Sequence, residues 1–189
     1  MSAGTTTASL SIGVNTGPVR EGIVDLARLE AAAVSLERMR DTVRPEELSR
    51  AIETLAKADT IYLLGARRVF PIAAYCAYAF GKLGVRAILI DHVGQLGPEQ
   101  LATATKQDAV LAISFTPYAP VTADLAAAAA QRNVPVVAIT DSAFSPLVTS
   151  ADVWLEVAEA DFGAFRSLSA SFALAMALAV GTAEKRAEG

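Results

Sequence analysis

Two short stretches carry most of the polar chemistry in this chain. The first, "GARRVFP" at residues 65–71, sets Arg67 and Arg68 just after an apolar run that ends in Gly65. Guanidinium forks hold the oxygens of phosphate or carboxylate two at a time. If a helix begins here, its free N–H groups attract the same anions, and Gly65 suits the tight turn into it. The second, "SFTPYAPVT" at 114–122, offers Ser114 and Thr116 straight after another apolar run, then Tyr118 and Thr122. Hydroxyls and backbone N–H groups ahead of a helix make a second anion cradle. Each residue also has a plainer reading. The arginines can be solvated loop residues, and Thr116 or Tyr118 can simply cap or cover a first helical turn.

Catalytic groups are harder to assemble. Moving a proton beside a carbonyl needs a base, usually a carboxylate or histidine, with an acid opposite. His92, Asp141, Glu156, Glu159 and Asp161 are available, but no spacing pairs them. His92 is the single histidine and Asp141 follows a strand-like run; both are possible pocket residues. In "TDSAFSPL", Asp141 and Ser142 are natural turn formers, and Ser145-Pro146 reads as a helix N-cap with Pro at the first helical position. No catalytic residue, metal ligand or cofactor site is assigned.

The elements that must position these residues follow from hydrophobic patterning. "TIYLLG", "RAILID", "DAVLAIS", "VPVVAIT" and "ADVWLEV" are short apolar runs, and each except the last precedes a stretch of helical composition. Continuous rather than alternating hydrophobicity means strands covered on both faces, as in a parallel sheet. The fold class is therefore α/β, a doubly wound, five-stranded parallel sheet closed by a C-terminal helix; in the flavodoxin-like strand order 2-1-3-4-5 the order reverses between the first and third strands. Ligands in such sheets sit where strand order reverses. That crevice lies between "GARRVFP" and "SFTPYAPVT". Two helices come first: Leu26, Leu29, Ala33 and Leu36 form a stripe in 23–36, and Leu48, Ile52 and Leu55 form another after Pro45.

Bulk properties narrow the function. Net charge of −4 argues against a chain that grips nucleic acid by itself. The single Cys76 excludes an internal disulfide framework and fits a core position in a reducing cytoplasm. Residues 1–17, rich in Ser, Thr and Gly, read as a disordered tail or an appended remnant and not as a signal peptide. The apolar stretch 168–180 is too short to span a bilayer.

Taken together, "LLGARRVFPIAAYCAYAFGKLG", "DAVLAISFTPYAPVTADLAAAAAQRNVPVVAITDSAFSPL" and "SADVWLEV" resemble the sugar isomerase (SIS) domain, and within it the RpiR-type transcriptional regulators. The resemblance covers about residues 20–183. It implies an SIS domain at 58–183 and linker or dimerisation helices at 18–57. It further implies a phosphorylated sugar or sugar-acid ligand and a homodimer or higher homo-oligomer. In this family a helix-turn-helix unit before the SIS domain binds DNA. Residues 1–20 leave no room for one, so a regulator's effector domain by itself, or a free-standing SIS protein, is expected. Ser114 and Thr116 match the family's phosphate-binding hydroxyls. Val69 and Ala119 stand where hydroxyls are usual, which leaves Arg67 and Arg68 to replace them or to select a carboxylate. Three functions remain open: a sugar-phosphate sensor, an aldose–ketose sugar-phosphate isomerase, and a dimerisation module with a degenerate pocket.

Overall fold

The structure, a computed structural model, describes residues 26–162 and 166–189. Helices α1 (Leu26–Thr42) and α2 (Pro45–Lys57) precede the sheet. Then follow β1 (Ile61–Gly65), α3 (Phe70–Lys82), β2 (Ala87–Ile90), α4 (Gly97–Ala102), β3 (Ala109–Ile113), α5 (Pro120–Gln131), β4 (Val136–Thr140), β5 (Val153–Glu156) and α6 (Ser169–Ala187). The five strands are all parallel in the order β2-β1-β3-β4-β5. The expected architecture and strand order are both found.

Alternation along the strands builds two cores from one sheet. Ile61 and Leu63 of β1 join Leu111, Ile113, Val137 and Ile139 under α2, α3 and α6. Tyr62 and Leu64 face the other way, with Val110, Ala112 and Ala138 under α4 and α5. β1, β3 and β4 are buried at every position, whereas edge strand β5 alternates. This is why the inner runs are continuously apolar. Cys76 lies in the first core, where burial pushes its thiol up to about 12, so it is inert as a nucleophile. Among the described residues no helix is long and apolar enough to cross a membrane.

Three local expectations are corrected. Ser145-Pro146 starts no helix: residues 141–150 form consecutive turns, and Ser145 Oγ accepts the Leu147 N–H while Leu147 fills the second core. Seating that one leucine consumes the segment as it returns toward the sheet. The α1 stripe is also displaced. Leu29 is 59 % exposed and Ala33 is exposed, while Ser35, Leu36, Met39 and Val43 face inward. The alanine run at 31–33 lets either face serve, and Ser35 selects one because its hydroxyl meets a backbone N–H of the segment after β5. Residues 1–17 and Ile23 lie outside the described residues, as does the side chain of Leu26.

Gly65 is the third. The residue in left-handed backbone at this turn is Arg67, with φ 58°. Gly65 instead allows close approach: a Cβ there would stand 3.0 Å from Ala73 Cβ and 3.4 Å from the Val69 carbonyl. Gly65→Ala is expected to push α3 off the sheet and destabilise the protein by about 1–3 kcal/mol, read as a lower urea midpoint at unchanged slope.

Candidate functional site

Strand order places β2 and β3 on opposite sides of β1, so the crossovers after β1 and β3 diverge and leave a crevice above Gly65 and Ile113. Two cavities open there. The smaller, about 200 Å³, lies between the two turns and is lined by Ala66, Arg67, Arg68, Val69, Ser114, Phe115, Pro117 and Ala119. The larger, about 730 Å³, extends toward β2, past Phe70, Asp91, His92, Gln95, Pro98 and Val121. Ala66 and Arg67 belong to both walls.

The helix ends here are poor in donors. α3 and α5 each carry a proline in the first turn, Pro71 and Pro120, and proline has no N–H. The Ala119 N–H is already donated to Ser114 Oγ at 3.3 Å. With Val69 apolar as well, the cradle rests on side chains. Ser114 is 2 % exposed at the cavity wall, and its hydroxyl proton has no acceptor among the described residues. Arg67 lines both cavities, and although its carbonyl accepts the Phe70 N–H, its guanidinium makes no hydrogen bond or ion pair to any described residue. Among those residues it is the uncommitted cation of the crevice.

Arg68 behaves differently. It borders the small cavity, but its Nη2 donates to the Thr116 carbonyl. Burial pushes its pKa down and the neighbouring Arg166 adds to this, while Asp141 and Asp161 pull the other way. It stays charged and serves the loop rather than the open cavity. Thr116 contributes backbone: its N–H donates to Asp141 Oδ2 at 2.9 Å. Its side chain is exposed, and Thr116, Tyr118 and Thr122 are not among the residues lining either cavity. Thr122 is fully buried in α5 with its hydroxyl unpartnered.

The remaining candidates separate by position. His92, with φ 61°, lines the larger cavity and holds a buried Nε2 with no partner among the described residues. Gly97 makes room for it, since a Cβ there would lie 3.0 Å from His92 Nδ1. Beside it, Asp91 ties its Oδ1 to the Val93 N–H at 3.0 Å. Asp141 sits behind the loop, 3.5 Å from Arg166 Nη1. Glu156 ends β5, and its carbonyl accepts the Thr42 hydroxyl at 3.0 Å. Glu159 does not coat the surface: its Oε1 accepts both the N–H and the hydroxyl of Ser171 at 2.8 Å, capping α6. Asp161 pairs with Arg166 Nε at 3.0 Å.

Sequence reasoning missed Asp91 and Gln95 on the cavity wall and Arg166 behind the loop. Arg166 left one trace, as a lone cation after Glu156, Glu159 and Asp161.

Comparison with known proteins gives a consistent result. Residues 54–181 match the family model of the SIS domain. No curated protein sequence matches the chain. Among solved structures, the sugar isomerase domain of an RpiR transcription factor from Sphaerobacter thermophilus is 25 % identical with a TM-score of 0.82, over 87 % of this chain and 92 % of that one. The Vibrio vulnificus NanR protein complexed with ManNAc-6P is 21 % identical with a TM-score of 0.74, over 89 % of this chain and 63 % of that one. The C-terminal domain of glucosamine-fructose-6-phosphate aminotransferase from Francisella tularensis is 16 % identical with a TM-score of 0.65, over 86 % and 44 %.

Proposed function

Because this chain belongs to the SIS domain family, we propose that it is a sugar-phosphate-sensing effector domain of the RpiR type. The observation that carries this reading is Arg67, whose guanidinium has no partner among the described residues and is shared by two cavities at the switch point of the sheet. The phosphate occupies the small cavity, held by the Arg67 fork and the Ser114 hydroxyl. The sugar extends into the larger cavity toward Asp91, His92 and Gln95. Gly65, Arg68 and Thr116 shape the cradle; Tyr118 and Thr122 support its rim and first helical turn. The NanR structure complexed with ManNAc-6P and the RpiR-type likeness support the same ligand class.

In this role residues 58–183 form the effector unit, and DNA contact is left to a separate helix-turn-helix unit. The protein works in the cytoplasm as a homodimer, with 18–57 contributing to association. Exposed Leu29 on α1, Tyr78 on α3, and Met176 and Val180 on α6 supply apolar surface for a second copy.

An isomerase reading draws on a single observation, the unpartnered His92 Nε2 beside Asp91 in the larger cavity. Thermal melts against aldose, ketose and amino-sugar phosphates and phosphorylated sugar acids test both. Sensing predicts a raised melting temperature with at least one of them and an unchanged ligand by NMR. A ligand at about a hundred times its Kd adds about 2.7 kcal/mol to native stability. Turnover would establish the isomerase instead, and silence across the panel would leave the dimerisation module.

A further inference from the structure

Arg68 and Asp141 hold the far wall of the crevice from behind. Arg68 donates to the Thr116 carbonyl and Asp141 accepts the Thr116 N–H, so the peptide groups on both sides of that residue are gripped. Asp141 in turn faces Arg166 Nη1 at 3.5 Å, and Arg166 Nε pairs with Asp161 at 3.0 Å. Ala160, next in the chain, donates its N–H to Ser35 Oγ at 2.9 Å and accepts the Ser167 N–H at 2.9 Å. Ser35 lies on α1, is 2 % exposed, and passes its own proton to the Ala31 carbonyl at 3.0 Å. A run of charged and polar contacts therefore leads from the anion loop to the first helix.

The far end of this run is weakly held. Among the described side chains of α1, Ser35, Leu36 and Met39 pack inward, with Val43 just beyond the helix, while Leu29 and Val34 are exposed. Among the described residues, its polar side-chain ties to the rest of the fold are the Ser35 contact and the Thr42 hydroxyl on the Glu156 carbonyl. An element with few buried contacts opens at low free energy.

We propose that anion occupancy of the crevice is coupled to the seating of α1 through Arg68, Asp141 and Arg166, making α1 the output element of the domain. The coupling rests on the sensing reading and adds its regulation. Arg68 and Asp141 share the hold on Thr116, and a bound anion attracts the Arg68 guanidinium. Any change in that sharing is felt by Arg166 and then by the Ala160 N–H. A ligand shifts α1 only as far as its affinity differs between the seated and unseated states. By linkage, unseating α1 must weaken the anion in return.

Hydrogen exchange on the wild-type protein, with inorganic phosphate and glucose 6-phosphate as probes, tests this directly. Saturating probe is expected to slow amide exchange across residues 35–43 by about five-fold or more. Ser35→Ala should speed that exchange and weaken probe affinity. Arg166→Gln should still bind probe, yet its α1 exchange should no longer respond. Bound probe with unchanged α1 exchange in the wild type overturns the coupling and leaves the crevice intact. Failure of both probes and of the whole phosphorylated-sugar panel to bind the wild type overturns the crevice reading and the coupling with it. The wild-type measurement stands even if a variant does not fold.

Discussion

Replacing Arg67 by alanine lowers affinity for the sugar phosphate by about two orders of magnitude and leaves the thermal melt of the free protein nearly unchanged. The size follows from the cradle's poverty. Proline fills the first turn of both helices, Val69 is apolar, and the Ala119 N–H is engaged by Ser114. On the proposed reading the exposed guanidinium carries most of the anion recognition, and a hydrogen bond to a charged group contributes about 1.5–3 kcal/mol. Each tenfold in Kd is about 1.4 kcal/mol, so two decades lie within that range. Titration calorimetry reads the affinity. Arg67→Gly is the sharper control. Arg67 sits at φ 58°, a conformation that glycine adopts freely and that costs other residues about 1 kcal/mol of strain. Arg67→Gly should therefore lose the ligand while melting no lower than the wild type. Retained affinity in both variants would show that the phosphate lies elsewhere.

Asp141→Ala should instead damage the fold and the site together, with a loss of about 3–5 kcal/mol in unfolding free energy. Its side chain is only 14 % exposed, holds the Thr116 N–H at 2.9 Å and faces Arg166 at 3.5 Å. Removing it leaves two arginines, Arg68 and Arg166, near each other with less countercharge, from Asp161 and from Glu159, which lines the same small void. Asp141→Asn keeps one acceptor for the Thr116 N–H and should recover part of the stability but not the charge balance. Urea denaturation of the three proteins gives the comparison. Equal stability of wild type and Asp141→Ala would remove Asp141 from its supporting role.

The contrast between these variants shows what could be read from residue types alone. "GARRVFP" and "SFTPYAPVT" were legible as the two walls of a crevice because both follow continuously apolar strands. Ser114 and Arg67 were legible as candidate anion-binding groups by their chemistry, and both line the small cavity. The different duties of Arg67 and Arg68 were not, since neighbouring arginines in a loop look alike until the backbone turns left-handed between strand and helix. Asp141 looked like a turn former, and its turn role is real. Its grip on Thr116 spans 25 positions of sequence, which no local pattern encodes. Arg166, Asp91 and Gln95 fall in segments without periodicity, so nothing marked their direction.

Sequence by itself determined the five parallel strands, because covering a sheet on both faces demands uninterrupted apolar runs, and the flavodoxin-like order 2-1-3-4-5 then set the place of the crevice. Tertiary structure decided which polar groups meet there. It freed Arg67 toward the cavities, turned Arg68 and Asp141 onto the loop backbone, and chose Ser35 rather than Leu29 as the inward side of α1. Hydrophobic periodicity is a local property that a short window contains. The pairing of charges and hydrogen bonds depends on where distant segments arrive, and only the folded chain brings them within reach.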